Sequence, residues 1–319
     1  MSVLFAEGFD GIGADLNYQA VAGQLGYRGL NFSLSEDTFI TTEVNALGGN
    51  NLVAYSSSWI FPVNSAQPIL GMRVKTAGIT PVFSMMITDS EGKIARFKFK
   101  DSAGSAIVTH PSIADQNLVT GVQAGVFNYI EFGVVNNKLI LRINNVEMMN
   151  VALTMTGSTN VAIDFSQDYA YLDDMYVADD GQFRGDCFIR TVPTSLYIND
   201  GVVIGGTAEA ALQSFDGDAS YIQLAGNGSK CGLKIASLPD EIVNIHAVAV
   251  TASRSKSTAG ATTSKLSLNV NGTDYTQNTQ APPLVYGGQR AAKSVNPATN
   301  SPWTRASVLT AAGVVEMVS

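Results

Sequence analysis

Histidine and cysteine, the side chains that most often serve as bases, nucleophiles and zinc ligands, are scarce in this chain. Its 319 residues include two of each: His110, His246, Cys187 and Cys231. A Ser-His-Asp or Cys-His site would have to use one of these histidines, and neither lies near a G-x-S-x-G elbow. The four residues do not have the spacing of a zinc site either. We therefore expect no enzyme activity, no metal site and no cofactor. The two cysteines are interpreted as small buried thiols, which could pair only if the fold brings them together.

Paired carboxylates are the other chemistry to consider, because glycosidases use two acids roughly 5–9 Å apart. On a strand, such acids would lie two or four residues apart on one face, and no strand-like run of that kind occurs. Asp89 and Glu91 have the spacing, as do Asp216 and Asp218, but the Ser and Gly residues around them are typical of turns. Asp216 and Asp218 also fit, less well, a loop of calcium ligands. A glycosidase is therefore the least favoured class.

Asp173 and Asp174 are adjacent in a segment whose pattern predicts a strand, so one of them is expected to point inwards. An inward carboxylate needs hydrogen-bond donors, because leaving it unpaired costs about 1–3 kcal/mol or more. Backbone amides of a neighbouring loop are the expected partners, and a bound calcium ion is the alternative.

Two features could contact a partner. Lys93, Arg96, Lys98 and Lys100 form a basic stripe in an acidic region. Such a stripe is most often a solvated strand face that discourages edge pairing, but it could also meet an acidic subunit or a polyanionic glycan. Trp59 lies in an apolar run and is expected in the core, with stacking on a sugar or a partner as the alternative.

The composition favours a turn-rich β protein. Apolar residues make up 45% of the chain and charged residues only 14%, with 30 glycines, whereas an average soluble domain has about 25% charged residues. A charge-rich disordered chain, a coiled coil and a helical bundle are therefore excluded. The net charge of −8 argues against nucleic-acid binding. No secretory signal or membrane-length apolar run is present, so we expect synthesis in the cytoplasm without secretion or membrane insertion.

The elements that would position these residues are mainly strands. Residues 93–100 alternate between apolar and basic side chains, and residues 127–149 read as a meander with two Asn-Asn turns. Further strands are predicted at 188–192, 221–224, 242–250, 266–270 and 314–318. Short helices are predicted at 16–26 and at 303–312. For the second helix, Ser301 is the predicted N-cap, Pro302 follows at the first helical position, and Gly313 is the C′ residue.

Charge divides the chain near residue 180. Residues 1–180 carry 9 basic and 18 acidic residues, a net charge of −9, whereas residues 181–319 carry 10 and 9, a net charge of +1. We therefore predict a first domain at 1–180 and a smaller β-rich, sandwich-like domain at 181–319 with one short C-terminal helix.

Three segments resemble concanavalin A-like (laminin-G-like) jelly rolls. They are the opening Leu-Phe-Ala-Glu-Gly-Phe-Asp at 4–10, the meander at 127–149 and Tyr-Leu-Asp-Asp-Met-Tyr-Val at 171–177. The resemblance implies that residues 1–180 form a jelly-roll sandwich whose last strand pairs beside its first.

The chain is also similar to virion proteins of tailed bacteriophages, through Leu-Asp-Asp-x-Tyr-Val followed by Gly-Asp-x-x-Ile-Arg at 185–190, and through segments 216–221 and 296–304. This similarity implies a non-enzymatic structural protein of the virion, on the tail or baseplate or decorating the capsid. Its partners would be other virion subunits and copies of itself, and the second domain would dock on the particle. The alternative is a carbohydrate-binding module that attaches to host-surface glycans.

Overall fold

The computed structural model describes residues 3–7, 31–33, 39–41, 51–54, 58–76, 83–99, 105–120, 122, 125–165, 170–213, 218–257, 262–284 and 287–318. The described residues up to Thr191 belong to one compact unit, and those from Val192 onwards belong to a second. The charge step near residue 180 thus lies within the first unit. The helix predicted at 16–26 lies outside the described residues. No helix in the described ranges is both long and apolar enough to cross a membrane.

The first unit is built from two antiparallel sheets. Its strands are β1 (Val3–Glu7), β2 (Asn31–Ser33), β3 (Phe39–Thr41), β4 (Asn51–Ala54), β5 (Ser58–Pro62), β6 (Ile69–Thr76), β7 (Phe83–Asp89), β8 (Ile94–Phe99), β9 (Ser105–His110), β10 (Ile113–Val119), β11 (Asn128–Val135), β12 (Lys138–Ile143), β13 (Val146–Ala152), β14 (Ser158–Phe165) and β15 (Ala170–Ala178). Sheet A has the order β13-β12-β11-β6-β15-β4-β3, with β1 also paired to β15; sheet B has the order β10-β9-β8-β7-β14-β5-β2.

The core of this unit lies between the two sheets. On β8, Ala95, Phe97 and Phe99 are buried while the residues between them are exposed. Phe97 meets Phe132 of sheet A, with ring centroids 6.2 Å apart. Aromatic rings with such large buried areas contribute strongly to core stability. The predicted jelly-roll sandwich is therefore confirmed.

The meander predicted at 127–149 is confirmed as β11, β12 and β13. Both of its two-residue turns are Asn-Asn pairs with positive φ, at Asn136 (49°), Asn137 (59°), Asn144 (49°) and Asn145 (66°). Two successive left-handed residues match the twist of a tight hairpin, and Asn tolerates this region better than most residues. The predicted pairing of the first and last strands is also observed, between β1 and β15.

The second unit is also mainly β. Its strands are β16 (Thr194–Asn199), β17 (Val202–Ile204), β18 (Tyr221–Gln223), β19 (Lys230–Ile235), β20 (Val248–Arg254), β21 (Ser264–Val270), β22 (Thr273–Gln280), β23 (Gly287–Lys293), β24 (Val295–Asn296), β25 (Ser301–Pro302) and β26 (Ala311–Met317), with helices at Ala208–Gln213 and Arg305–Val308. Five strands form one sheet in the order β16-β19-β26-β21-β22, and β20 pairs with β23. Trp303, Val248 and Leu268 belong to its apolar core.

The C-terminal helix differs from the prediction in length and position. It has a single turn, and its N-cap is Thr304, whose side chain accepts from the Ser307 amide. Trp303 is instead held in a β-bridge to Ile245, and its indole donates to the Lys293 carbonyl at 2.8 Å. Gly313 does not end the helix but lies in β26, where an added Cβ would come within 2.2 Å of Val250.

The strand predicted at 188–192 is absent, because side chains take the place of a partner strand. The amide of Asp186 donates to the Asn145 side chain at 2.9 Å, and the amide of Ile189 donates to Asp174 at 2.7 Å. Backbone donors satisfied in this way do not require a ladder. The strand predicted at 242–250 also differs from the structure, because β20 begins at Val248, ends at Arg254 and is shorter.

Candidate functional site

The outer face of sheet A carries a row of polar side chains rather than a solvated surface. In the register of the sheet, Arg142 lies opposite Glu131, Glu131 opposite Gly71, and Gly71 opposite Tyr176. Directly opposite residues share a face of the sheet. Glu131 and Tyr176 are nevertheless buried. Their cover is the segment at 181–190, here called the cover segment, which follows β15.

Glu131 binds the cover segment to the sheet. Its Oε1 accepts from the Tyr176 hydroxyl at 2.5 Å and from the amides of Arg184 and Gly185 at 2.8 and 3.0 Å, and its Oε2 accepts from Arg142 Nη1 at 3.2 Å. Burial, and then the Glu131 carboxylate, raise the pKa of Tyr176 well above its ordinary value, so the phenol remains a donor. Three donors converge on Oε1 and one on Oε2, so this carboxylate already serves as an acceptor for its neighbours.

A second group of ionic contacts holds the next part of the cover segment. Arg73 Nε lies 2.8 Å from Asp174 Oδ2, and Arg73 Nη2 contacts Asp186 Oδ1. The Arg73 guanidinium lies 4.6 Å from the Phe188 ring centroid and 5.6 Å from that of Tyr129. Burial raises the pKa of Asp174, and the Ile189 amide and Arg73 offset this only in part.

The expectation that one of Asp173 and Asp174 points inwards is wrong. The β15–β6 register shifts between Asp173 and Tyr176, and Asp174 has a positive φ of 49°. This bulge places an extra residue on β15, so both carboxylates lie on the outer face. The expected partner, a backbone amide of a neighbouring segment, is observed at Asp174 as the Ile189 amide.

Aromatic and basic side chains gather beside the end of the cover segment. Lys75 lies opposite Tyr171 in the register, and its Nζ is 4.4 Å from the Tyr171 ring centroid and 5.6 Å from that of Phe127. Arg190 lies 5.8 Å from the ring of Phe188, which is 48% exposed. These five residues are called the aromatic patch. Lys75 and Arg73 are two residues apart, so the rings above them are offset by about 7 Å along β6.

The basic stripe lies on the opposite side of the sandwich, on the outer face of sheet B. Arg96 and Lys98 are exposed there and form no ion pair with any other described residue. Lys93 instead lies in the turn before β8, with Nζ 2.6 Å from Glu91 Oε2. Lys100 lies outside the described residues. The structure thus leaves two of the four predicted residues on one open surface.

Trp59 is not on a surface. Its ring is 1% exposed and packs edge-on against Phe165 at 6.0 Å. A ring in this position has no free face for a sugar, so of the two interpretations of Trp59 only core packing agrees with the structure.

The described contacts of His110, Cys187 and Cys231 are those of structural side chains. His110 is buried, its Nδ1 accepts from the Ser112 amide at 3.1 Å, and burial lowers its pKa. Cys187 and Cys231 are free thiols, and burial raises their pKa to about 12 and about 11. Cys187 contacts the Tyr129 hydroxyl at 3.2 Å. Neither thiol is activated for attack, because the thiolate is the reactive form.

Of the two acid pairs singled out by their sequence spacing, the pair Asp89 and Glu91 is described in full, and it lies in a turn. Asp89 accepts from the amides of Glu91 and Lys93 at 2.9 and 2.8 Å, which closes the predicted turn before β8. Asp216 lies outside the described residues. Across the described ranges, no three His, Cys, Asp or Glu side chains are grouped as metal ligands would be.

Sequence reasoning missed the aromatic patch. Its residues lie far apart in the chain, at 75, 127, 171, 188 and 190, and only the strand register and the path of the cover segment bring them together. The available signal was local: Phe188 and Arg190 are two residues apart, as are Arg73 and Lys75.

No family model and no curated protein matches this chain. Solved structures resemble its sandwich at low identity. A sialidase matches 52% of this chain with 8% identity and a TM-score of 0.39, and the chain spans 18% of that protein's length. A galectin from Caenorhabditis elegans matches 37% of this chain, and 89% of its own length, with 12% identity and a TM-score of 0.32. A carbohydrate-binding module from Bacillus subtilis matches 47% of this chain, and 94% of its own length, with 5% identity and a TM-score of 0.33. These similarities concern the β-sandwich fold alone.

Proposed function

We propose that this chain is a non-catalytic carbohydrate-binding protein, and that the aromatic patch on sheet A is its binding surface. The observation that carries the proposal is the grouping of Phe127, Tyr171 and Phe188 with Lys75 and Arg190 on one face. Phe188 is 48% exposed, and Phe127 and Tyr171 are half-buried. Apolar surface that is left partly open to solvent in this way is a feature of interaction sites. Aromatic rings offer flat apolar faces to the C–H side of a sugar, and a few polar groups beside them fix its orientation.

The absence of catalysis in this proposal rests on Glu131. It is the most enclosed acid on the outer face of sheet A, it is 0% exposed, and it accepts from four donors. A general acid or base must reach the proton that it moves. Glu131 therefore acts as a structural acceptor that fixes the cover segment.

A glycan array followed by calorimetry tests the binding surface. Tyr171→Ala and Phe188→Ala are each expected to weaken binding about tenfold, which corresponds to about 1.4 kcal/mol for one lost stacking contact. Ile60→Ala is the matched control, because Ile60 is 45% exposed but lies on the outer face of sheet B. An array without any binder, or an equal loss for Ile60→Ala, contradicts the proposal.

A role in assembly is the second candidate, and the open pair Arg96 and Lys98 favours it. Two exposed cations in a region of net charge −9 form a surface suited to an acidic neighbour. Membership of a bacteriophage virion stays a prediction, since none of the similar structures named above is a virion protein. Sedimentation velocity tests this second candidate. An assembling chain is expected to form oligomers, and the double charge reversal Arg96→Glu and Lys98→Glu is expected to dissociate them. A chain that stays monomeric at all concentrations contradicts self-assembly.

A further inference from the structure

We propose that Asp174 and Asp186 are positioning residues, which hold Phe188 in the aromatic patch without contacting a glycan themselves. The inference rests on the proposed function and adds to it that the cover segment is part of the binding surface. Phe188 is the most exposed ring of the patch, and it is the only one that does not lie on or beside a strand of sheet A.

The backbone on both sides of Phe188 is fixed by side chains of the sheet. Before it, the Asp186 amide donates to Asn145 Oδ1 at 2.9 Å. After it, the Ile189 amide donates to Asp174 Oδ1 at 2.7 Å. Because a segment without a partner strand lacks ladder hydrogen bonds, these two contacts determine where residue 188 can lie.

The ring itself is supported from below by Arg73. Asp174 accepts from Nε and Asp186 contacts Nη2, so the two carboxylates fix the plane of the guanidinium from two directions. The Cζ atom of that guanidinium lies 4.6 Å from the Phe188 ring centroid. Planar, two-sided binding of this kind is specific to arginine. Removing one carboxylate leaves the guanidinium free to turn, and the ring above it loses its support.

The side chain of Asp186 is 38% exposed, whereas that of Asp174 is 1% exposed. Asp186→Asn is therefore the variant that tests positioning with the least risk to folding. Asp164→Asn is the matched control, because Asp164 is a half-buried acid on the outer face of sheet B.

Binding to a printed glycan array is measured for the intact chain, for Asp186→Asn, for Phe188→Ala and for the double variant. Asp186→Asn is expected to weaken array binding about fivefold, and to have less than about a twofold further effect in the Phe188→Ala background, because coupled residues are non-additive. If Asp186→Asn weakens array binding about fivefold in both backgrounds, Asp186 acts independently of Phe188, and the proposal is overturned.

Alkylation with iodoacetamide tests the same claim without any glycan. Cys187 lies in the cover segment, and Cys231 in the second unit serves as the internal reference. Asp186→Asn is expected to raise the labelling rate of Cys187 about tenfold relative to Cys231, because the thiol is exposed when the segment loosens. An unchanged rate overturns the positioning role. A different outcome separates the two proposals. If Phe188→Ala and Tyr171→Ala leave array binding intact while Asp186→Asn still raises the labelling rate of Cys187, the proposed function fails and the positioning of the cover segment stands.

Discussion

The outer faces of sheets A and B differ in whether their charged side chains are buried and paired or exposed to solvent. On sheet A, Glu131, Arg73 and Asp174 are buried under the cover segment, and each has a partner within hydrogen-bond distance. On sheet B, Arg96 and Lys98 stand in solvent. Buried charges are tolerated only when they are paired, whereas exposed charges need no partner and contribute little. The same sandwich therefore has one face whose charges determine structure and one whose charges remain available to a partner.

The largest effect is expected on the covered face. Glu131→Ala leaves the Tyr176 hydroxyl and the amides of Arg184 and Gly185 without their acceptor. Breaking such a buried network costs about 3–5 kcal/mol of unfolding free energy. Hydrogen exchange of peptides from β11 and β15 measures the loss.

Glu147→Ala is the control for this variant, because Glu147 lies opposite Arg142 in the next strand of the same sheet but is exposed. We expect a change within about 0.5 kcal/mol. Equal losses in the two variants would mean that the cover segment does not depend on Glu131.

A smaller effect concerns thiol reactivity. Burial raises the pKa of Cys187 to about 12, so at pH 8 only about one molecule in ten thousand carries the thiolate. A cysteine placed on the open face by Lys98→Cys is expected to react with iodoacetamide at least about a hundredfold faster than Cys187. Mass spectrometry of the labelled peptides gives both rates from one sample. Comparable rates would show that the cover segment opens readily in solution.

The smallest effect is expected on the open face. Arg96→Gln and Lys98→Gln should each change the free energy of unfolding by less than about 0.5 kcal/mol, because neither side chain is buried or paired with a described residue. Thermal unfolding of the two variants beside the parent chain measures this. A decrease in unfolding free energy above about 1 kcal/mol in either variant would be on the scale of typical destabilising mutations. It would show that the basic stripe stabilises the fold and that the two faces do not differ in this respect.

The fold was largely predictable because its signals are local. Alternation at 93–100 identifies β8, and the two Asn-Asn pairs fix the turns of the meander, since few residues accept a positive φ. The site was less predictable because its partners are distant in sequence. Glu131 contacts Arg184 only because the chain after β15 returns across sheet A. Residues 188–192 have the pattern of a strand, but the Ile189 amide donates to the Asp174 carboxylate and not to a partner strand.

The bulge at Asp174 adds one outward-facing residue to the last strand and leaves the alternation on either side of it intact. Before it, Leu172 is buried and Tyr171 faces outwards; after it, Val177 is buried and Tyr176 reaches Glu131. Deleting Asp174 would therefore restore a regular ladder, with Tyr176 still facing outwards and Val177 still facing the core. The deletion would remove only the carboxylate that accepts from Arg73 and from the Ile189 amide. One codon could thus be gained or lost at this position in evolution without exchanging the two faces of the strand.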